Sequence, residues 1–328
     1  MTNELLQMPI IESAYRAKGL FKEMHFSTIY AAKLRRVFGI KQERKRFELD
    51  DGDFVDIDWS FNRTGATKKV VILMHGLEGD AQRPYILGTA KALNNNGFDC
   101  AAVNLRGCSG EENVKFRSYH SGETGDMAQV IAVLVDSAEY DEIYLYGVSL
   151  GGNVILKYLG ERKPNPLIKA AVACSVPIDL YQSLTCLNRK QNWVYRWSFL
   201  TGLRAKYKRK MKNHPQLASA KTLKKINSLR NFDDLYTAPA HGFADAMDYY
   251  RKSSSKPFLD QITVPALLLN AANDSFLNAA CYPFAEAEKN TCLFLEVPEY
   301  GGHMGFYKMG KTYYHEQRTV DFFRGLSK

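Results

Sequence analysis

The chain has 328 residues, 45% of them hydrophobic and 24% charged, with 44 Lys+Arg against 35 Asp+Glu and a net charge of +9. Apolar content at that level excludes a disordered chain, and no apolar run reaches the roughly 18–20 residues of a membrane-spanning helix. The first ten residues include Glu4, Gln7 and Pro9 and show no secretory signal. The six cysteines have no CxxC spacing and read as reduced thiols of a cytoplasmic protein.

In chain order, residues 27–37 read as a helix, followed by a basic stretch at 41–46. Residues 46–49 and 54–59 flank Asp50-Asp51-Gly52-Asp53, a turn signal for a β-hairpin. The runs 70–74, 100–105, 143–146 and 170–176 are continuously apolar, as expected of strands buried on both faces of a parallel sheet. Helical patterns fall between them at 84–95, 124–138 and 150–162. This alternation predicts an α/β fold with a mostly parallel central sheet flanked by helices. Beyond Pro177 the rhythm breaks, and residues 177–260 are helix-like, Lys-rich and aromatic. Strand patterns resume at 264–270 and 291–297, with helices near 279–288 and 312–324. The expected organisation is a basic N-terminal arm (1–46), a core in two parts (47–176 and 261–328) and a helical cap between them (177–260).

The most informative segment is Gly147-Val148-Ser149-Leu150-Gly151, a Gly-x-Ser-x-Gly between a buried strand and a helix. A serine lifted above the sheet at a sharp strand-to-helix turn needs neighbours without side chains. A Gly-rich turn with an incidental serine would give the same letters, so partners decide the matter. A serine hydroxyl is a weak nucleophile unless a base takes its proton. The expected order in such a sheet is serine, acid, histidine. Asp274 follows the strand at 264–270 and is the only acidic residue between Asp260 and Glu286, although an Asp there also suits a helix cap. His303 lies on the Gly-flanked loop Gly301-Gly302-His303-Met304-Gly305, past the last strand. His315, inside the final helical pattern, is expected to face solvent. The predicted catalytic set is therefore Ser149, Asp274 and His303. Oxyanion donors are expected from the backbone amides of Leu150, directly after the nucleophile, and Leu77, in the turn His75-Gly76-Leu77-Glu78-Gly79. His75 is expected to fix that turn by hydrogen bonds. His75, Glu78 and Asp80 lack a recognisable metal-ligand spacing, and neither metal nor cofactor is expected.

These segments resemble the α/β-hydrolase superfamily, and specifically its YheT-like branch of carboxylic-ester hydrolases. The resemblance is carried by His75–Gly79, Asn104-Leu105-Arg106-Gly107-Cys108-Ser109-Gly110, Tyr119-His120-Ser121-Gly122-Glu123-Thr124, Gly147–Asn153 and Gly301–Phe306. It extends to Phe21, His25 and Ser27-Thr28-Ile29 and covers nearly the whole chain. It departs at the acid loop, usually Asn-Ala-x-Asp-Asp-Pro-Phe, where Asn273 and Ser275 replace the first Asp and the Pro. The retained Asp274 is the triad acid that the pattern implies. The resemblance also implies an α/β-hydrolase fold, a cap inserted after the sixth strand, and esterase-type activity on acyl chains, with some acyltransferases among its members.

Arg106 is expected to brace its loop through carboxylates, with binding of an acidic substrate group as the alternative. Cys108 reads as a small buried residue, and His120 as a support for the helix that starts near Thr124. In the cap, Trp193, Trp197 and Leu200 share one helical face at i, i+4 and i+7, which points either to packing or to an acyl-chain pocket. The positive charge is uneven, +6 in residues 1–46 and +10 in residues 176–260. The densest run, Arg204 to Lys212, reads as a solvated helix face or as a dock for an anionic membrane surface, and no nucleic-acid-binding module is recognisable. The expected function is cleavage of carboxylic esters by a cytoplasmic serine hydrolase, with peripheral contact at the inner membrane face as the reading of its basic arm and cap. Acyl transfer to an alcohol by the same residues, or a non-catalytic lipid- or partner-binding module, are the alternatives.

Overall fold

In the computed structural model, residues 9–310 and 312–326 are described. The strands are β1 (Ile10–Ile11), β2 (Glu43–Glu48), β3 (Phe54–Ser60), β4 (Lys69–Met74), β5 (Asp99–Asn104), β6 (Glu142–Val148), β7 (Ile168–Cys174), β8 (Ala266–Leu269) and β9 (Leu293–Glu296). They form one sheet in the order β1-β9-β8-β7-β6-β4-β5-β3-β2. Every pairing is parallel except those of β3 with β2 and with β5.

The apolar runs are continuous because both faces of the sheet are covered. Along β4, Val70, Ile72 and Met74 enter one core while Val71 and Leu73 enter the other. Along β6, Ile143 and Leu145 oppose Tyr144, Tyr146 and Val148 in the same manner. One face is covered by α3 (Thr124–Asp136) and α4 (Leu150–Glu161), the other by α2 (Pro84–Asn94) and α12 (Tyr314–Leu326). Between β7 and β8 the chain leaves the sheet. It forms α5 (Leu180–Leu187), α6 (Trp193–Asn213), α7 (Ala220–Lys225), α8 (Leu229–Phe232), α9 (Ala238–Ala240) and α10 (Ala246–Ser253) before returning. This segment builds its own cluster around Tyr207, Ile226, Phe232, Tyr236 and Tyr250. The short α11 (Phe284–Lys289) precedes β9.

The N-terminal region differs from the expected basic arm. Ile10 and Ile11 extend the sheet as a parallel partner of β9. The helix expected over 27–37 is α1 (Met24–Ile29) followed by a wider turn, Tyr30–Leu34, which ends at Arg35. Three of its arginines are tied to the core: Arg35 pairs with Glu316, Arg44 with Asp58 and Arg46 with Asp56. His315 is fully buried instead of facing solvent. It lies one residue from the Arg35–Glu316 pair on the inner side of α12, and burial drives its pKa well down, so it packs as a neutral ring.

The basic run in α6 is only in part a free surface: Lys208 and Lys212 are exposed, and the other cations are engaged. Lys206 and Lys210 are buried to 1% and 0% exposure. Lys206 pairs with Glu78, Lys210 and Arg209 with Glu112, and Arg204 donates to the Leu223 and Ile226 carbonyls. Charges taken out of water must be paired: Lys206, Arg209 and Lys210 bind the cap to the loops after β4 and β5, while Arg204 ties α6 to the end of α7 within the cap.

Arg106 braces its loop. Its guanidinium is fully buried and holds Asp126 through two bonds of 2.6 Å, together with Asp53 at 3.0 Å and Asp51 at 2.9 Å. Arg106→Met strands these carboxylates and should lower the unfolding free energy by about 3–5 kcal/mol, as breaking a buried pair does. Urea denaturation monitored by tryptophan fluorescence checks this.

Candidate active site

Strand β4 has β5 on one side and β6 on the other, and chain connections diverge at this point. Ligands of open α/β sheets bind at the carboxyl ends of strands where the order reverses. The loops leaving β4 and β6 there carry His75–Gly79 and Ser149.

Ser149 adopts φ 53° and ψ −117° between β6 and α4, a region L-residues avoid. Its N–H donates to the Cys174 carbonyl at 2.8 Å, and its carbonyl accepts the first helical bond, from Asn153. The turn closes because its flanking glycines lack side chains. A Cβ on Gly147 would lie 2.6 Å from the Gly151 backbone, and one on Gly151 would lie 2.4 Å from the Met74 carbonyl. The Ser149 side chain makes no capping bond to α4. Leu150 is the first residue of that helix, so its N–H has no intrahelical partner.

Asp274 and His303 meet from two other strand ends. Asp274 Oδ2 lies 2.8 Å from His303 Nδ1, and its Oδ1 accepts the Phe276 N–H at 2.9 Å. A carboxylate only accepts, so Nδ1 carries the proton and Nε2 is left as the basic nitrogen. The Phe276 ring covers the imidazole at 4.3 Å between centroids. Ser149 and His303 line the same two cavities.

The loop bearing His303 is held by residues that sequence reasoning did not assign. The His303 N–H donates to Thr28 Oγ1 at 2.9 Å, and the Thr28 hydroxyl donates to the Met24 carbonyl at 2.6 Å. Asn273 accepts from the Gly302 N–H at 2.9 Å and donates to the Lys22 carbonyl at 3.0 Å. An aspartate at 273 could not make the second bond, which gives the departure in the acid loop a structural role. Gly302 has φ 53°, and a Cβ there would lie 2.5 Å from the Met24 carbonyl. The Ser27-Thr28-Ile29 stretch was the available signal, yet nothing local shows that it meets a loop 275 residues away.

In the turn after β4, His75 Nε2 accepts the Leu105 N–H at 3.1 Å, which leaves Nδ1–H to donate to the Gly76 carbonyl at 2.8 Å. Burial pushes its pKa down to about 4, so the ring stays neutral. The Gly76 carbonyl also accepts from the Gly79 N–H at 3.0 Å.

Two cavities converge on Ser149, Leu77, Phe199, Phe276 and His303. The first, of about 120 Å³, runs beneath the cap between Leu180, Leu184, Leu203, Leu229 and Phe232 to Asp233 and Tyr250. The second, of about 450 Å³, passes Thr28, Ile29, Lys33, Val194, Tyr195 and Ser198. The expected pocket face of α6 is corrected here. Trp193 and Trp197 are 61% and 65% exposed, and Leu200 packs into the cap cluster. Tyr195, Phe199, Leu203 and Lys206 line the cavities instead, Tyr195 and Phe199 standing two residues after Trp193 and Trp197. A helix rotates about 100° per residue, so two residues carry the tryptophans to the outward side. Cys108 is half-buried beside Lys206, and burial pushes its thiol up to about 11, which leaves it protonated. Among the described residues no cluster of His, Cys, Asp and Glu could hold a metal ion.

A cavity at the switch point, a serine on a strained strand-to-helix turn and an Asp–His pair beside it define an α/β hydrolase. The family model for the alpha/beta hydrolase fold matches residues 69–308, and the chain belongs to that family. It falls in the YheT-like branch of carboxylic-ester hydrolases, being 35% identical to "Putative esterase YheT" of Escherichia coli over 92% of this chain and 88% of that one. It is 29% identical to the mouse phospholipase ABHD3 over 81% of this chain and 67% of that one. The solved structure of the Pyrococcus furiosus esterase Pf2001 shares the fold with a TM-score of 0.59, at 18% identity over 89% of this chain and 96% of that one.

Thr28→Val removes the acceptor of the His303 N–H and leaves that amide unpaired in a half-buried site. It should cost about 1–3 kcal/mol of stability and lower ester turnover, read by denaturation and steady-state kinetics on one preparation.

Proposed function

We propose that this chain hydrolyses carboxylic esters of acyl chains through Ser149, His303 and Asp274. The observation that carries the reading is the 2.8 Å Asp274–His303 bond beside an uncapped Ser149 hydroxyl at the junction of two cavities. His303 Nε2 takes the Ser149 proton as Oγ attacks the ester carbonyl, and Asp274 stabilises the imidazolium that results. The Leu77 and Leu150 amides hold the tetrahedral oxyanion. His303 then protonates the departing alcohol, and water releases the acyl group from Ser149 by the same route. The narrow apolar cavity under the cap suits the acyl chain, and the wider one suits the alcohol portion. No metal or cofactor enters these steps.

Acyl transfer to an alcohol uses identical residues and differs only in what reaches the acyl-enzyme first. Product analysis with and without added alcohol separates the two. Ser149→Ala should lose more than a thousandfold in kcat while keeping the native melting transition, and a fluorophosphonate probe should label Ser149 only in the unsubstituted protein. Retained turnover in the variant sinks the reading, and absence of labelling in the folded protein favours a non-catalytic binding module.

The entrance of the wider cavity supports a docking mode at anionic lipid surfaces. Val194 and Ser198 line it, and the exposed Trp193 and Trp197 lie one residue away on α6, which continues to the exposed Lys208 and Lys212. Interfacial tryptophans followed by lysines suit a lipid headgroup region. Among the described residues no helix is long and apolar enough to cross a membrane. The variant W193A/W197A should hydrolyse esters presented in phosphatidylglycerol vesicles several-fold more slowly, while dissolved p-nitrophenyl butyrate is turned over as before. Equal rates on vesicles remove the docking mode.

A further inference from the structure

The turn that supplies the Leu77 amide is gripped by the cap. In a trans peptide the carbonyl and the next N–H point in opposite directions. The Gly76 carbonyl is tied to the His75 ring and the Gly79 N–H, so the Leu77 N–H is turned to the other side. The far end of the turn depends on Glu78, a non-glycine residue at φ 51°. That geometry is disfavoured for an L-residue by about 1–2 kcal/mol, and it persists only where surrounding contacts enforce it.

Those contacts converge on the Glu78 side chain and its flanking peptides. The Glu78 N–H donates to the Tyr119 hydroxyl at 2.8 Å, and that hydroxyl donates back to Glu78 Oε1 at 2.7 Å. Arg83 donates to the Glu78 carbonyl at 2.8 Å. Lys206 Nζ lies 2.9 Å from Glu78 Oε1 and 4.2 Å from the centre of the Tyr119 ring. Gly202, one turn earlier on α6, lets the helix approach so closely that a Cβ there would lie 3.1 Å from Glu78 Oε2. Burial alone would raise the Glu78 carboxyl, yet Lys206 holds it below the usual range, so the group stays ionised.

We propose that Lys206 is a positioning residue for the oxyanion hole: by neutralising and fixing Glu78, it holds the turn that aims the Leu77 N–H at the reacting carbonyl. The inference rests on the esterase reading above. Without Lys206, a carboxylate would sit without its cation in a low-dielectric site, on the residue after Leu77 and lining the same cavity as Ser149. It would both repel the oxyanion and pull the turn toward water. A residue acting in this way affects the transition state more than substrate binding.

The test is steady-state hydrolysis of p-nitrophenyl butyrate by K206M, K206R and K206M/E78Q, with melting temperatures measured alongside. K206M should lose at least tenfold in kcat with KM within about threefold, in keeping with a weakened oxyanion donor. K206R should recover part of the loss. The double variant should recover most of it, because a neutral amide in place of the Glu78 carboxylate keeps an acceptor for the Tyr119 hydroxyl and leaves no unpaired charge. If K206M does not fold, the double variant against the unsubstituted protein carries the comparison. The proposal is overturned if K206M keeps kcat within twofold, if its loss lies in KM alone, or if the double variant is as impaired as K206M. Turnover and fluorophosphonate labelling of the unsubstituted protein separate the two readings. If both are absent, the esterase reading fails and this proposal with it, whereas normal turnover by K206M overturns only the role of Lys206.

Discussion

The site depends on how closely two backbones cross at the carboxyl ends of β4 and β6. With Gly151 packed against the Met74 and His75 carbonyls, and Gly147 against Gly151 and Gly152, no side chain fits between the serine turn and the turn after β4. This contact forces Ser149 into its unfavourable conformation and starts α4 at Leu150. It also brings the Leu77 turn beside the hydroxyl. The Gly76 side of the same crossing is close but less tight, since a Cβ there would lie 3.2 Å from the Ser149 Cβ. The remaining parts of the site are delivered to this point by β8, β9 and the cap.

Much of this was legible in the sequence because the relevant signals are local. Four apolar runs marked β4, β5, β6 and β7 to within about two residues, since strands buried on both faces carry no alternation that could be misread. The glycines around Ser149 and His303 were legible as turn signals, but while Gly147 is required by a contact within its own turn, Gly151 and Gly302 are required by the distant Met74 and Met24 carbonyls. What failed was phase and pairing. In α6, the stripes of Trp193 and Trp197 and of Tyr195 and Phe199 differ by two residues, and the heavier aromatic one faces out. Local periodicity reports that a helix has faces, and only the tertiary fold says which face is inward. The buried lysines were misread for a related reason. Lys206 and Lys210 are indistinguishable from solvated lysines until Glu78 and Glu112 are placed beside them.

Charge therefore works differently here from what the net value suggests. The positive segments are drawn onto an acidic sheet domain, with Arg44 and Arg46 on the carboxylates of β3, Arg35 on α12, and the α6 cations on the loops after β4 and β5. Ion pairs contribute little net stability compared with apolar packing, but the buried ones, Arg35–Glu316, Lys206–Glu78 and Lys210–Glu112, tie each cation to a defined carboxylate. They set where the cap and the N-terminal segment sit on the core.

The bond from the His303 amide to Thr28 spans 275 residues of sequence. Contacts of such separation are closed late, because the chain between them must first be ordered. During synthesis the strands, Ser149 and the Leu77 turn are all made before the loop that holds His303. A chain made only as far as β9 holds the Ser149 turn but lacks the His303 loop that lines the same cavities in the finished fold. Thr28 is made early and His303 nearly last, so under the proposed mechanism the site is complete only when these two distant parts of the chain have closed on each other.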